Sequence, residues 1–140
     1  MNDKYSKIDT INPLSCYSNK MMRCNRIIAN IFRKHLKDFG ITDSQLSILF
    51  YVTKSKEVNQ KNICDFLVSE KSTTNRNINR LLDKGYLSID KHYLITTENG
   101  KELLERIIPS WENAMEEVNE IIGKDGEDAL NKIHSKLIKS

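Results

Sequence analysis

Cysteine, proline, glycine and aromatic residues are all scarce in this chain, and each scarcity excludes something. The three cysteines, Cys16, Cys24 and Cys64, are odd in number and widely spaced, with no CxxC or Cys/His ligand pattern. A disulfide framework and a zinc site are therefore not indicated, and the three read as reduced thiols. Two prolines and five glycines in 140 residues leave room for few loops, which predicts a mainly helical chain. His35, His92 and His134 are scattered, no glycine-rich phosphate loop occurs, and no nucleophile–base pair can be placed. An enzyme is not expected, nor a metal or a cofactor. No apolar run approaches the roughly 20 residues of a membrane span, and no basic-then-apolar leader opens the chain. A cytoplasmic protein without a membrane partner is the expectation.

What is present fits one domain over 1–140, long enough to bury a core without staples. The net charge of +3 becomes informative once located. Between Lys54 and Lys91 eight basic residues face five acids, while the rest of the chain sums to zero. The excess therefore lies where the stretch Glu70–Leu87, EKSTTNRNINRLLDKGYL, also lies. At 100° per residue this stretch gathers Thr74, Ile78, Leu81 and Leu82 on one side of a helix. Ser72, Thr73, Arg76, Asn79 and Arg80 fall on the other, with Lys71 and Asn75 beside them. Hydroxyls, amides and guanidiniums are the groups that reach base edges and phosphates in a DNA major groove. Gly85 ends the helix, since a left-handed C′ position costs glycine least. Tyr86–Asp90 and His92–Ile95 then read as two short strands of a hairpin turning near Asp90-Lys91. The outline is a winged helix-turn-helix over 42–97.

Taken in order, residues 1–12 are polar and expected to be loose. A long helix is expected over 12–40, with Leu14, Tyr17, Met21, Cys24, Ile28, Ile31 and His35 on a heptad-like seam. Thr42–Gln45 is a capping box opening a helix of about 43–53. Asn59 caps a third helix reaching Leu67, with Ile63, Phe66 and Leu67 inward. Its link to the next helix is only two or three residues, the mark of a helix-turn-helix. Thr97 opens the longest helix, about 98–122, with a kink expected near Arg106 from Pro109. Gly123–Gly126 reads as a break before a last helix. The apolar seams of 12–40 and 98–140 exceed what a chain this size can hide within itself, so both are expected to build a homodimer. Residues 1–42 carry eight basic and three acidic side chains, and Glu98–Glu120 seven glutamates against two cations. The first helix is expected to pack beside the long one.

The ordered motifs resemble the MarR family of bacterial transcriptional regulators. Lys71, Ser72, Thr73, Arg76, Arg80, Leu81, Lys84, Gly85 and Leu87 match the family's recognition-helix pattern position by position. Gly40-Ile41-Thr42 with Gln45 resembles its G-[IL]-T-x-x-Q motif, and Thr97-Glu98-Asn99-Gly100 its T-E-x-G motif. The resemblance implies a mainly α, winged helix-turn-helix homodimer that binds double-stranded DNA, usually as a repressor. Two recognition helices would enter successive major grooves of a pseudo-palindrome, about 34 Å apart. Lys71, Ser72, Thr73, Asn75, Arg76, Asn79 and Arg80, with Lys91 and His92 of the hairpin, are the expected DNA contacts. Small aromatic ligands often release such regulators, and Trp111, Met115 and Met21 are the candidates for a ligand crevice. Cys16, beside Tyr17 and 26 residues before Thr42, lies close to where the family's peroxide sensors place their cysteine, and is the candidate redox site.

One departure stands out. The family's wing usually carries an Asp-x-Arg motif in a longer hairpin whose arginine enters the minor groove. Only eleven residues, YLSIDKHYLIT, separate Gly85 from Thr97, and none is arginine. Weaker or less specific DNA binding follows. The alternative is an adaptor that keeps the fold and pairs with another regulator, or a redox-sensing regulator with weak DNA binding.

Overall fold

The computed structural model describes residues 3–138, so residues 1–2 and 139–140 of the expected 1–140 domain lie outside the described residues. Five α-helices and one hairpin run in the order α1 (Tyr17–Leu36), α2 (Asp43–Lys54), α3 (Gln60–Leu67), α4 (Lys71–Asp83), β1 (Leu87–Asp90), β2 (Tyr93–Thr96), α5 (Glu98–Leu137). The first helix starts later than the expected residue 12. Asn12 does accept from the Leu14 amide, but Pro13–Ser15 forms only a 3-10 turn, and Cys16 is extended at ψ 117°. Nor are residues 3–10 wholly irregular, since Asp3–Tyr5 and Ile8–Thr10 are 3-10 turns.

The central helices begin where local hydrogen bonding places them. Thr42 Oγ1 accepts from the Gln45 amide while Gln45 Oε1 accepts from the Thr42 amide, both at 3.2 Å. Asn59 and Asn62 make the same reciprocal pair at 2.9 Å, with asparagine in place of the usual Glu or Gln. The α3–α4 turn is tight because Val68 takes a left-handed conformation, φ 51°. That conformation costs a β-branched residue energy. The turn is held by the Ser69 amide donating to Cys64 O at 3.1 Å and by a hydroxyl bond between Ser69 and the buried Thr74.

The core lies where the five helices and the hairpin converge. Leu36, Ile48, Leu49, Ile63, Leu81 and Leu87 are fully buried, joined by Leu103 and Ile107 from α5. Phe66 is the exception to the expected inward set. It is 54% exposed and stacks on Tyr51 at 4.4 Å between ring centroids. An eight-residue helix wedged between α2 and α4 has only one narrow buried stripe, and Ile63 occupies it. Cys24, on the heptad-like seam of the first helix, is exposed, and Cys64 is half-buried.

Helix α1 packs along α5 as its charge predicts. Glu117 accepts from Lys34 Nζ at 2.7 Å, and His35 Nε2 lies 3.0 Å from the same carboxylate. These partners hold the Glu117 carboxyl below its usual value, Lys34 more than His35. Helix α5 is two helical stretches that meet at a kink at Gly123 (φ 69°), where a break is expected after residue 122, while its dihedrals stay helical past Pro109, where a kink near Arg106 is expected. Proline removes one amide donor, whereas a left-handed residue turns the chain itself. Beyond the reading unit apolar side chains stay uncovered in the single chain: Leu14 just before α1, Tyr17 and Met21 of α1, and Ile133 and Leu137 of α5.

Candidate nucleic-acid interface

Helix α4 divides cleanly into an anchored and a free face. Thr74, Ile78 and Leu81 are buried, and Gln45 Nε2 donates to Asn77 Oδ1 at 3.3 Å, tying α2 to α4. The C-terminus is closed by the Gly85 amide donating to Leu82 O and the Tyr86 amide to Leu81 O, both 3.0 Å, with Gly85 at φ 79°. This is the double closure that a left-handed C′ glycine permits. Anchored this way, the helix turns Lys71, Ser72, Thr73, Asn75, Arg76, Asn79 and Arg80 to solvent. Neither Arg76 nor Arg80 makes an ion pair or hydrogen bond among the described residues, so both guanidinium forks are uncommitted. Asp83, at the far end, is the one acid on the helix itself. All seven residues expected on this face are brought together.

The hairpin follows α4 directly. Its register pairs Leu87 with Thr96 and Asp90 with Tyr93, so Lys91 and His92 alone form the tip, both exposed. Lys91 sits at φ 60°. The hairpin base is bound to the rest of the unit at three points. Thr97 Oγ1 donates to Gly85 O, the Thr97 amide donates to Tyr86 O at 3.0 Å, and Thr96 and Thr53 share a hydroxyl hydrogen bond at 2.7 Å.

The three expected crevice residues are not brought together. Trp111 meets Phe50 edge-on at 5.5 Å and borders a cavity of about 280 Å³ with Ile28, Phe32 and Leu46. Met21 instead borders a separate apolar hollow with Tyr17, Ile133 and Leu137. It lies about 10 Å along α1 from Ile28, seven residues at 1.5 Å each. Met115 is exposed and borders neither. The residues that sequence reasoning missed are Asp43, which borders this cavity and a neighbouring hollow of about 320 Å³, and Arg33 in that hollow. Burial raises the Asp43 carboxyl above its usual value and Arg33 partly opposes the shift. No local pattern marks either residue, because the cavity exists only where α1, α2 and α5 meet. Cys16 is exposed, and Tyr17, 85% exposed, makes no hydrogen bond to it.

Among the described residues no group of three or more His, Cys, Asp or Glu is placed to hold a metal. No helix among them is long and apolar enough to cross a membrane.

Residues 39–91, from the end of α1 to the hairpin tip, match the family model described as MarR family. No curated protein sequence matches the chain. Solved structures match nearly end to end. One is the transcriptional repressor CouR bound to p-coumaroyl-CoA, with TM-score 0.79 and 19% identity over 89% of this chain and 93% of that one. Another is Bordetella bronchiseptica BpsR, whose DNA binding is regulated by 6-hydroxynicotinic acid, with TM-score 0.81 and 15% identity over 91% and 96%. The reduced form of MarR from E. coli superposes with TM-score 0.71 and 16% identity over 94% and 98%. Residues 39–91 thus resemble the MarR family, and the chain as a whole has the fold of these solved regulators.

Proposed function

We propose that this protein is a homodimeric, sequence-specific DNA-binding transcriptional regulator, acting as a repressor that sets α4 in the major groove of a pseudo-palindromic operator. The observation that carries this reading is the free face of α4. Seven polar or basic side chains are exposed on one anchored helix, and Arg76 and Arg80 have no protein partner among the described residues. Both guanidinium forks are open to bases and phosphates, beside the hydroxyls of Ser72 and Thr73. Arg76, in the second turn, is assigned to base or phosphate contact, and Arg80, a turn later, to the backbone. The uncovered apolar residues of α1 and of the last third of α5 support the homodimer, since a patch of this kind marks an association surface.

A small aromatic ligand would enter the cavity beside Trp111 and Phe50. Its walls are apolar and aromatic, and Asp43 and Ser47 supply polar groups at its edge, the usual make-up of a small-molecule site. CouR and BpsR, on the same fold, are described with a coumaroyl thioester and a hydroxynicotinate.

The test is selection of duplexes from a random DNA pool, in parallel for wild type and Arg76→Ala. Enrichment of an inverted repeat with half-sites one helical turn apart is expected, lost or relaxed at one position in the variant. A second reading, an adaptor that pairs with another regulator, is favoured by the two-residue hairpin tip without arginine. Absence of any enrichment at low salt from folded, dimeric protein would turn the reading to the adaptor, with a search for a protein partner as the next experiment.

A further inference from the structure

The cavity beside Trp111 has a single charged side chain on its walls, Asp43. Phe32, Phe50 and Trp111 supply three aromatic rings, and Asn25 and Ser47 are its neutral polar groups. All three rings are partly buried and packed against the core, so the cavity is set by the fold itself. Its volume of about 280 Å³ exceeds the roughly 150 Å³ that already takes up a benzene.

The Asp43 carboxyl is uncommitted. Asp43 is the first residue of α2, where Thr42 and Gln45 close the capping box without it. A first-turn acid complements a helix N-terminus, but that role does not require the half-buried place beside an apolar cavity that Asp43 takes. Its carboxyl makes no hydrogen bond or ion pair among the described residues. Arg33 is its electrostatic neighbour but does not close on it. That side chain is exposed, borders the adjoining hollow and not this cavity, and donates from Nη1 to Asn30 Oδ1 at 2.5 Å. A carboxylate short of both solvent and partner is costly until a cation pairs with it.

We infer that this cavity takes an aromatic amine, with the ring among Phe32, Phe50 and Trp111 and the ammonium on the Asp43 carboxylate. The inference rests on the small-ligand reading above and gives that ligand the sign of its charge. The ammonium donates a charge-assisted hydrogen bond to Asp43 and lies near aromatic faces, which attract cations. An aromatic acid of the same size sets its carboxylate beside Asp43, where like charges repel. Only an acid long enough to pass Asp43 can reach Arg33 and Lys37 in the adjoining hollow. Asp43 is therefore the residue that selects the ligand by charge.

Trp111 is the only tryptophan in the chain, so its fluorescence reports occupancy of this cavity. The test is titration of the full chain, as wild type, Asp43→Asn and Asp43→Glu, with phenethylamine, phenethyl alcohol and 3-phenylpropionate at neutral pH and fixed ionic strength. The three probes share one ring and arm and differ in charge. Wild type should bind the amine about tenfold more tightly than the alcohol, the worth of one hydrogen bond to a charged group, and the propionate most weakly. Asp43→Asn should bring the amine down to the level of the alcohol and leave the alcohol unchanged, while Asp43→Glu should keep the order. The wild-type ranking decides the matter even where a variant fails to fold. Binding of the propionate as tight as that of the amine, or tighter, keeps the small-ligand reading and overturns the inference. An amine affinity unaltered by Asp43→Asn overturns it in the same way. Saturable binding of none of the three probes to folded wild type removes the small-ligand reading of this cavity and the inference with it, and leaves the DNA reading to the duplex selection.

Discussion

Gly100→Ala is a substitution whose sign depends on tertiary packing. Gly100 is the third residue of α5, and its amide donates to Thr97 Oγ1 at 3.1 Å. By helix propensity alone, alanine there should stabilise the protein by up to about 1 kcal/mol. The site forbids it. A Cβ on Gly100 would overlap the Tyr86 carbonyl oxygen and lie 2.7 Å from Thr96 Cγ2. The carbonyl cannot swing aside at low cost, because it accepts the Thr97 amide at 3.0 Å and is covalently next to the C′ glycine of α4. Overpacking of this kind costs about 1–3 kcal/mol, and rigid backbone as the obstacle argues for the upper end. The net expectation is destabilisation by roughly 2 kcal/mol, a fall in Tm of about 4–8 °C for a chain of this size. The assay is thermal unfolding by circular dichroism at one fixed protein concentration, since any self-association makes Tm concentration-dependent. Asn99→Ala, exposed and one residue earlier, is the control and should be neutral or slightly stabilising. A Gly100→Ala protein with equal or higher Tm would show that α5 does not approach Tyr86 as closely as described, and the hairpin–α5 junction would need redrawing.

Two further outcomes follow from hydrogen bonds at named atoms. Thr97→Ala removes both the cap of α5 and the hydroxyl donated to Gly85 O, and should cost about 1–2 kcal/mol in urea unfolding; Thr97→Ser should recover most of it. Glu117→Gln tests the α1–α5 clasp through pH. The Glu117 carboxyl lies below its ordinary value of 4.5 because Lys34 and His35 donate to it. A lowered acid stabilises the folded state above the unfolded pKa, and that contribution is lost as pH falls through the lowered folded value. The stability gap between wild type and Glu117→Gln should therefore be constant near neutrality and shrink on acidification below about 4.5. A gap independent of pH in Tm measurements from pH 7 to pH 3 would refute the assignment.

The legible parts of the fold were the locally encoded ones. The capping box at Thr42, the Asn59 cap, the Gly85 stop and the two faces of α4 all depend on residues within one or two turns of each other. Each was therefore readable from spacing, and with them the whole candidate DNA-reading face. Apolar periodicity was less complete as a guide. It placed Cys24 and Phe66 on apolar faces, but a face is buried only if something covers it. In this chain Cys24 is exposed, and Phe66 is more than half exposed, stacked on Tyr51. The grouping of Met21 with Trp111 failed for the same reason, since a shared seam does not bring residues ten ångströms apart on one helix to a common cavity.

The sequence alone determined that α4 is amphipathic, polar on one face, capped and stopped, because those properties follow from backbone hydrogen bonding and side-chain period within a dozen residues. Tertiary structure alone decided which distant groups meet: Glu117 with Lys34, Asp43 with Arg33, and Gly100 with the Tyr86 carbonyl. Each of those meetings joins residues at least ten apart in the chain, where the packing of helices and not local preference sets the distance. The reading face was written locally; the cavity beside Trp111 exists only once the helices are packed.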